Sequence, residues 1–278
     1  MFGRRPDATL VRDCGAMRRF MPFVSPRRND SVFYLPQDIE VEAALEFIEK
    51  RNRERPPERP LTLFHLFLRS LSQAHELRPG VNRFVKGGKL WQRDGVWISF
   101  SALREIKDGS PMITIKRRFE PARESLDEMV DGIYDRVRPA KAGRKSTSDK
   151  EMGLLLRLPA VGIRAALGLA RLADHFGLLP RAMIEADPLF ASTFVANLGS
   201  VGHPSGFHHL WEYGTCSIFG VLGKVWTRPD GRSVMTVGWT YDERIEDGIY
   251  SAVTLAGIRD RIQDPELLEL STEALKNR

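Results

Sequence analysis

Hydrophobic and polar residues along this chain follow two periods, and each change of period marks a predicted element. Apolar residues three and four positions apart favour amphipathic helices, whereas strict alternation favours strands. Residues 63–77 carry the clearest helical pattern, with Leu63, Phe67 and Leu71 on one face. Thr62 precedes the first turn as a capping residue. Further helices are predicted over residues 42–54, 121–137 and 249–262.

Alternating stretches predict strands between these helices. Residues 31–41 are rich in β-branched and aromatic residues, and Pro36 predicts an interruption of that strand. Gly87 and Gly88 predict a hairpin turn within residues 83–92. Further strands are predicted over residues 95–103, 111–119, 217–226 and 233–241. Because helices and strands are interspersed, we expect a single α/β domain over residues 1–278.

Residues 151–186 have a helical and unusually apolar pattern. Arg157, Arg164 and Arg171 recur every seven residues there, which places them on one side of a helix. One interpretation is a helix that binds a membrane surface or a partner protein. We favour the other, a core helix with a single solvated stripe. Packing between subunits fits either pattern.

Composition indicates an ordinary globular protein. The chain has 278 residues, of which 42% are hydrophobic and 28% are charged. Its two cysteines are too few for a disulfide framework. We see no signal peptide, and no stretch approaches the roughly 20 apolar residues of a membrane span. These features favour a cytoplasmic location.

The formal net charge of +6 raises the question of nucleic-acid binding. The basic residues are scattered, and we expect their densest cluster, residues 136–145, to form a solvated loop. No nucleic-acid-binding motif accompanies it, so we do not expect a nucleic-acid partner. A basic surface equally suits an anionic partner such as a phosphorylated cofactor.

Four segments carry a family resemblance. Residues 241–248 (YDERIEDG) match an Asp-His-Arg-x-x-Asp-Gly turn, and residues 194–202 (FVANLGSVG) match a Ser-Asn-x-Gly strand and turn. Residues 61–82 match an apolar helix that ends in a Pro-x-x-Asn turn, and residues 215–225 match a strand. In this order they resemble the catalytic domain of the dihydrolipoamide acyltransferases, relatives of chloramphenicol acetyltransferase. The resemblance spans most of the chain.

The resemblance implies a chloramphenicol-acetyltransferase-like α/β fold, with a mixed sheet and helices packed on one face. It also implies a homotrimer whose active sites lie between neighbouring subunits, with coenzyme A or acyl-coenzyme A as a substrate. We expect neither a lipoyl domain nor a peripheral subunit-binding domain. A pseudoenzyme is suggested by the residues at the two catalytic positions.

In that family a histidine takes a proton from a thiol, and a serine or threonine hydroxyl stabilises the oxyanion. The resemblance places Glu243 at the histidine position and Ala196, beside Asn197, at the hydroxyl position. An ordinary carboxylate is about four pKa units less basic than a thiolate. Losing one oxyanion donor lowers rates by about 10²–10³.

We therefore expect a catalytically degenerate acyltransferase that serves as a binding or regulatory module. The alternative is an active coenzyme A-dependent acyltransferase with a rearranged site, in which Glu243 or a loop histidine acts as the base.

Asp247 matches the aspartate of the same family turn. In the family this aspartate pairs with an arginine, and Arg18 or Arg19 is the candidate partner here. Asp247 also stands where it would cap the following helix. The two roles are compatible.

Other side chains are candidates to replace the missing groups. Ser192, four positions before the missing hydroxyl, shares its strand face. His203, His208 and His209 follow in a loop and are candidates for the base. Adjacent histidines are poor co-ligands, so we expect no metal. The two histidines of the predicted helix over residues 63–77 are expected to be structural.

Overall fold

The computed structural model describes residues 4–103, 107, 109–143 and 153–277. The strands are β1 (Ala8–Leu10), β2 (Val32–Glu40), β3 (Arg83–Lys86), β4 (Lys89–Arg93), β5 (Val96–Leu103), β6 (Met112–Phe119), β7 (Thr193–Asn197), β8 (Ile218–Thr227) and β9 (Ser233–Asp242). The helices include α1 (Ala16–Val24), α2 (Glu42–Asn52), α3 (Leu63–Leu77), α4 (Leu126–Lys141), α5 (Ala160–His175), α6 (Arg181–Ala186), α7 (Gly248–Gln263) and α8 (Thr272–Lys276).

Six strands form a mixed sheet in the order β2-β9-β8-β7-β5-β6. Strand β7 runs parallel to both β5 and β8, whereas the other neighbours in this sheet are antiparallel. Strands β1, β4 and β3 form a separate antiparallel sheet. The hairpin predicted around Gly87 and Gly88 is present, because both glycines adopt the positive φ that the turn requires.

The helices α2, α3, α4 and α7 cover one face of the large sheet. Phe67 of α3 stacks on Trp239 of β9 with a centroid distance of 5.7 Å. A Cβ on Gly220 would come within 3.1 Å of the Trp239 ring, so this glycine permits close packing. Full burial of each large apolar side chain stabilises the fold by about 1.5–3 kcal/mol. The predicted mixed sheet with helices on one face is confirmed.

Strand β2 corrects one prediction. It continues through Pro36, which pairs with Gly238 of β9, so the expected interruption is wrong. An edge strand has a neighbour on one side only, and proline's missing N–H is tolerated on the open side.

Capping explains where two helices begin. Thr62 accepts a hydrogen bond from the His65 backbone N–H, and α3 spans the predicted residues. Helix α4 begins later than predicted, because Ser125 and Glu128 form a reciprocal capping box. It then continues to Lys141, so much of the predicted basic loop is helical, while residues 144 and 145 lie outside the described residues.

The apolar segment also corrects a prediction. Asp174 is the only buried residue of α5, all of whose residues are described, so the favoured core helix is wrong. Residues 151 and 152 of the predicted segment lie outside the described residues. Among the described residues, none of the helices combines the length and the apolar character needed to cross a bilayer.

Candidate functional site

A cavity of about 370 Å³ lies between α3, α7 and the strands β2 and β9. Its size falls within the range of ligand pockets, which is roughly 300–1,000 Å³. Most of its wall is apolar, including Leu71, Trp239, Leu255 and Ile258. Such a cavity favours an apolar ligand or the apolar part of a larger one.

Glu243 lies exposed at the rim of this cavity, immediately after β9. Its backbone N–H donates to the Ser31 carbonyl at 3.0 Å. Its carbonyl accepts a long 3.4 Å hydrogen bond from the Arg18 guanidinium. The backbone at position 243 is therefore held from both sides, while the carboxylate remains in contact with solvent.

A buried ion pair fixes the turn around Glu243. The Arg244 guanidinium donates to both carboxylate oxygens of Asp242 at 2.8 Å, and both side chains are buried. Arg244 also donates to the Ser25 carbonyl at 2.8 Å. A bidentate pair has a fixed geometry, so it holds the turn in one orientation.

Asp247 does not pair with the predicted arginine. Asp247 accepts a hydrogen bond from the Tyr250 backbone N–H at 2.8 Å and caps α7. Arg18 pairs with Glu246 at 3.5 Å instead, and Arg83 pairs with the same carboxylate at 2.7 Å. The predicted Arg18–Asp247 pair is thus wrong. Arg19 lies exposed on α1.

Glu243 and Ala196 are far apart within one chain. Ala196 pairs with Val221 on β8, whereas Tyr241, two residues before Glu243, pairs with Ile218. Projected onto β8, which lies between their strands, the two positions are five residues apart. With two strand spacings added, the distance between them is on the order of 20 Å. Ala196 also packs on the face away from the helices, in a cluster with Phe194 and Phe219.

Ser192 and Asn197 hold backbone groups near Ala196. The Ser192 hydroxyl, which is buried, accepts from the Trp97 backbone N–H at 3.0 Å. The Asn197 side chain accepts from the Ser200 backbone N–H at 3.2 Å. Asn197 also lines a second cavity of about 500 Å³ beside the start of α3. Within one chain, neither side chain contacts the cavity at Glu243.

Two of the three loop histidines, His208 and His209, lie on the same side of the sheet as Ala196. The His208 ring stacks on Phe219 at 4.3 Å and on His209 at 4.4 Å. His203 is exposed, and its Nδ1 lies 3.0 Å from the Pro204 carbonyl. None of the three lines the cavity at Glu243. Within the described parts of the chain, no group of three or more His, Cys, Asp or Glu side chains is placed to hold a metal.

His75 was predicted to be structural, and the structure also places it in the wall of the cavity. It lines the cavity and is only 1% exposed. A 2.7 Å hydrogen bond joins its Nε2 to the Thr193 hydroxyl, and its buried Nδ1 has no hydrogen-bond partner among the described residues. Burial, reinforced by Arg93, lowers the His75 pKa to about 3. The ring is therefore neutral at physiological pH.

The other hydroxyl groups around the cavity are neutral. The Ser251 hydroxyl donates to the Asp247 carbonyl at 2.9 Å, and the Thr254 hydroxyl donates to the Tyr250 carbonyl at 2.8 Å. Burial raises the pKa of Tyr241. The inner cavity thus offers neutral polar groups on an apolar wall, and its carboxylates lie at Glu243 and Glu246.

Comparisons with known proteins place the fold. No family model matches the chain, and no curated protein sequence matches it. A dihydrolipoamide acetyltransferase from Azotobacter vinelandii is similar in structure, with a TM-score of 0.61 and 14% identity, over 92% of this chain and 89% of that one. A probable dihydrolipoamide acetyltransferase from Listeria monocytogenes has a TM-score of 0.57 and 13% identity, over 90% and 93%.

Chloramphenicol acetyltransferase gives a TM-score of 0.54 and 13% identity, over 92% of this chain and 99% of that one. At these identities the similarity establishes the fold. The chain has the fold of the dihydrolipoamide acetyltransferase catalytic domains and of chloramphenicol acetyltransferase, as the ordered motifs predicted.

Proposed function

We propose that this protein binds an acyl-group ligand in the cavity at Glu243 and lacks the family's histidine and hydroxyl chemistry for acyl transfer. One observation carries the proposal. An apolar cavity of about 370 Å³ is lined by Glu243, the residue that the resemblance places at the position of the family's catalytic histidine. In this proposal the cavity serves as the binding space, and the base is replaced.

The wall chemistry supports an acyl chain as the occupant. Each square ångström of apolar surface that a ligand buries contributes roughly 25 cal/mol. The hydroxyl groups of Ser251 and Thr254 already hydrogen bond to backbone carbonyls, so the wall makes few polar demands on a ligand. Arg18 and Arg83 flank Glu246, which leaves Glu243 as the rim carboxylate that would repel an approaching thiolate.

Separation of the two catalytic positions supports a shared site between subunits. Glu243 and Ala196 lie on the order of 20 Å apart and on opposite faces of one sheet. A second copy of the chain would have to supply one of them. We propose a homotrimer for this reason and from the fold, with coenzyme A as the carrier of the acyl group.

A second candidate is an active acyltransferase that uses Glu243 as its base. The observation in its favour is the exposure of Glu243 at the cavity rim, where its carboxylate is accessible to a bound acceptor. His208 and His209 are less suited to this role within one chain, because His208 stacks on Phe219 at the other face of the sheet.

The test measures binding and turnover on the same sample. Isothermal titration with octanoyl-coenzyme A reports binding, and release of free coenzyme A with a dithiol, an amine or an alcohol acceptor reports transfer. We expect binding without transfer. Transfer that Glu243→Gln abolishes would establish the second candidate, and absence of binding at millimolar ligand would overturn the proposal.

A further inference from the structure

Helix α5 carries an exposed apolar stripe. Val161, Leu169 and Leu172 are 73%, 68% and 55% exposed. Together with Ala165 and Phe176 they recur every three or four residues, so they form one continuous face. Leu154 and Leu156 before the helix and Leu178 after it are also exposed. Contiguous apolar surface of this kind marks an interaction site.

An ion cluster at the end of α5 fixes the direction of this stripe. Asp174 is 1% exposed and pairs with Arg5 and with Lys86, each at 2.7 Å. Breaking a buried pair of this kind is strongly destabilising. The helix is therefore anchored to the three-stranded sheet through its Asp174 side, and the stripe faces outward.

Cationic side chains border the stripe. Successive helical residues are rotated by about 100°, which places Arg164 and Arg171 together on the side next to Val161 and Leu172. Both arginines are exposed, and neither forms an ion pair with another described residue. Asp174 is the only acidic residue of α5, and it faces inward. The outer surface of the helix is thus apolar and positively charged.

We propose that α5 lies on the surface of an anionic membrane, with its stripe in the acyl region and its arginines on the lipid phosphates. Helices that bind membranes in this way combine an apolar face with Lys or Arg beside it, and long cationic side chains reach the headgroups. A symmetric antiparallel pair of α5 helices fits less well, because it would bring the arginines of the two copies together. This inference is independent of the proposed ligand, and it requires that α5 stays exposed in the proposed homotrimer.

Vesicle co-sedimentation tests the inference. One set of vesicles is pure phosphatidylcholine, and the other contains phosphatidylcholine and phosphatidylglycerol in equal parts. We expect binding to the anionic vesicles that high salt weakens. Each arginine near an anionic surface contributes about fivefold in affinity, so Arg164→Gln with Arg171→Gln should lose about 25-fold.

The stripe is tested with Leu169→Gln and Leu172→Gln together, which should lose at least about tenfold. Ile249→Gln is the matched control, since Ile249 is an exposed apolar residue on α7 and should leave binding unchanged. All these positions are exposed, so thermal unfolding should be unaltered. Failure of the unaltered protein to bind anionic vesicles would overturn the inference. So would a leucine variant that binds normally, or one that only changes the oligomer size in the absence of lipid.

Discussion

The His75 Nε2 lies 2.7 Å from the Thr193 hydroxyl, so a buried histidine of α3 is tied to the central strand β7 at the wall of the cavity. This bond joins the helical layer to the sheet. It also sets the ring so that the remaining nitrogen, Nδ1, is free of protein partners among the described residues. The ring is thus held in the wall of the cavity with a buried nitrogen that has no partner in the described part of the chain.

A double-mutant cycle should detect this bond. Thr193→Val leaves a buried ring nitrogen without its partner and should reduce the free energy of unfolding by about 1–3 kcal/mol. His75→Phe removes the same bond from the other side. Urea unfolding of both single variants and the double variant measures the coupling. Strictly additive losses would show that the hydrogen bond contributes nothing to stability.

The buried histidine predicts a pH dependence of stability. The His75 pKa is lowered from 6.5 to about 3 by burial, so the unfolded chain binds a proton more readily than the folded protein. Stability from this group is present above pH 6.5 and is lost as pH falls towards 3. Between pH 6.5 and 5 the loss should be about 1.5 kcal/mol. His75→Phe should flatten the unfolding profile by that amount, and an unchanged profile would contradict the burial.

The Asp242–Arg244 pair should be important for folding. Arg244→Leu leaves the Asp242 carboxylate buried without its bidentate partner and should reduce the free energy of unfolding by about 3–5 kcal/mol. The control is Arg232→Gln, which breaks an exposed pair with Glu40 and should change stability by no more than about 1 kcal/mol. Similar losses in the two variants, measured by denaturant titration, would count against a special role for the buried pair.

Restoring the family's two catalytic groups should restore transfer. Glu243→His with Ala196→Ser places an imidazole at the cavity rim and a hydroxyl on β7 before Asn197. We expect release of coenzyme A from octanoyl-coenzyme A in the presence of a dithiol. Glu243→His alone should be slower by about 10²–10³, because it lacks the oxyanion donor. A double variant that binds the ligand and shows no release would contradict the assignment of the two positions.

Local signals predicted α3 well, because Thr62 and the apolar face of the helix specify its start and direction. Strand β2 was harder, since only the sheet order reveals that Pro36 lies on an edge. The position of α5 depends on tertiary contacts. Asp174 anchors it through Arg5 and Lys86, which are distant in sequence, so periodicity alone did not separate a core helix from an exposed one.

The candidate site was predicted in part. The motif around Glu243 placed that residue at the end of β9, and the structure adds the cavity beneath it. His75 was assigned a structural role, since a histidine on the apolar face of a helix is usually satisfied by neighbours. Its free Nδ1 depends on how α3 meets β7, and that contact leaves no signal in the sequence.

Narrowing the cavity mouth should block the ligand. Ala252 lines the cavity on α7, whereas the neighbouring Val253 is exposed and does not line it. Ala252→Phe should therefore weaken the binding of an acyl ligand at least about tenfold by displacing apolar contacts. Val253→Phe should leave it unchanged. Equal effects of the two substitutions would place the ligand elsewhere.

The most direct measurement is the dissociation constant of acyl-coenzyme A ligands as a function of acyl chain length. Each methylene that enters an apolar cavity contributes about 0.8 kcal/mol. If the acyl group occupies the cavity at Glu243, affinity rises by about fourfold per methylene until the cavity is full, and Ala252→Phe removes this dependence. An affinity that is independent of chain length, and equal to that of coenzyme A alone, would contradict the account.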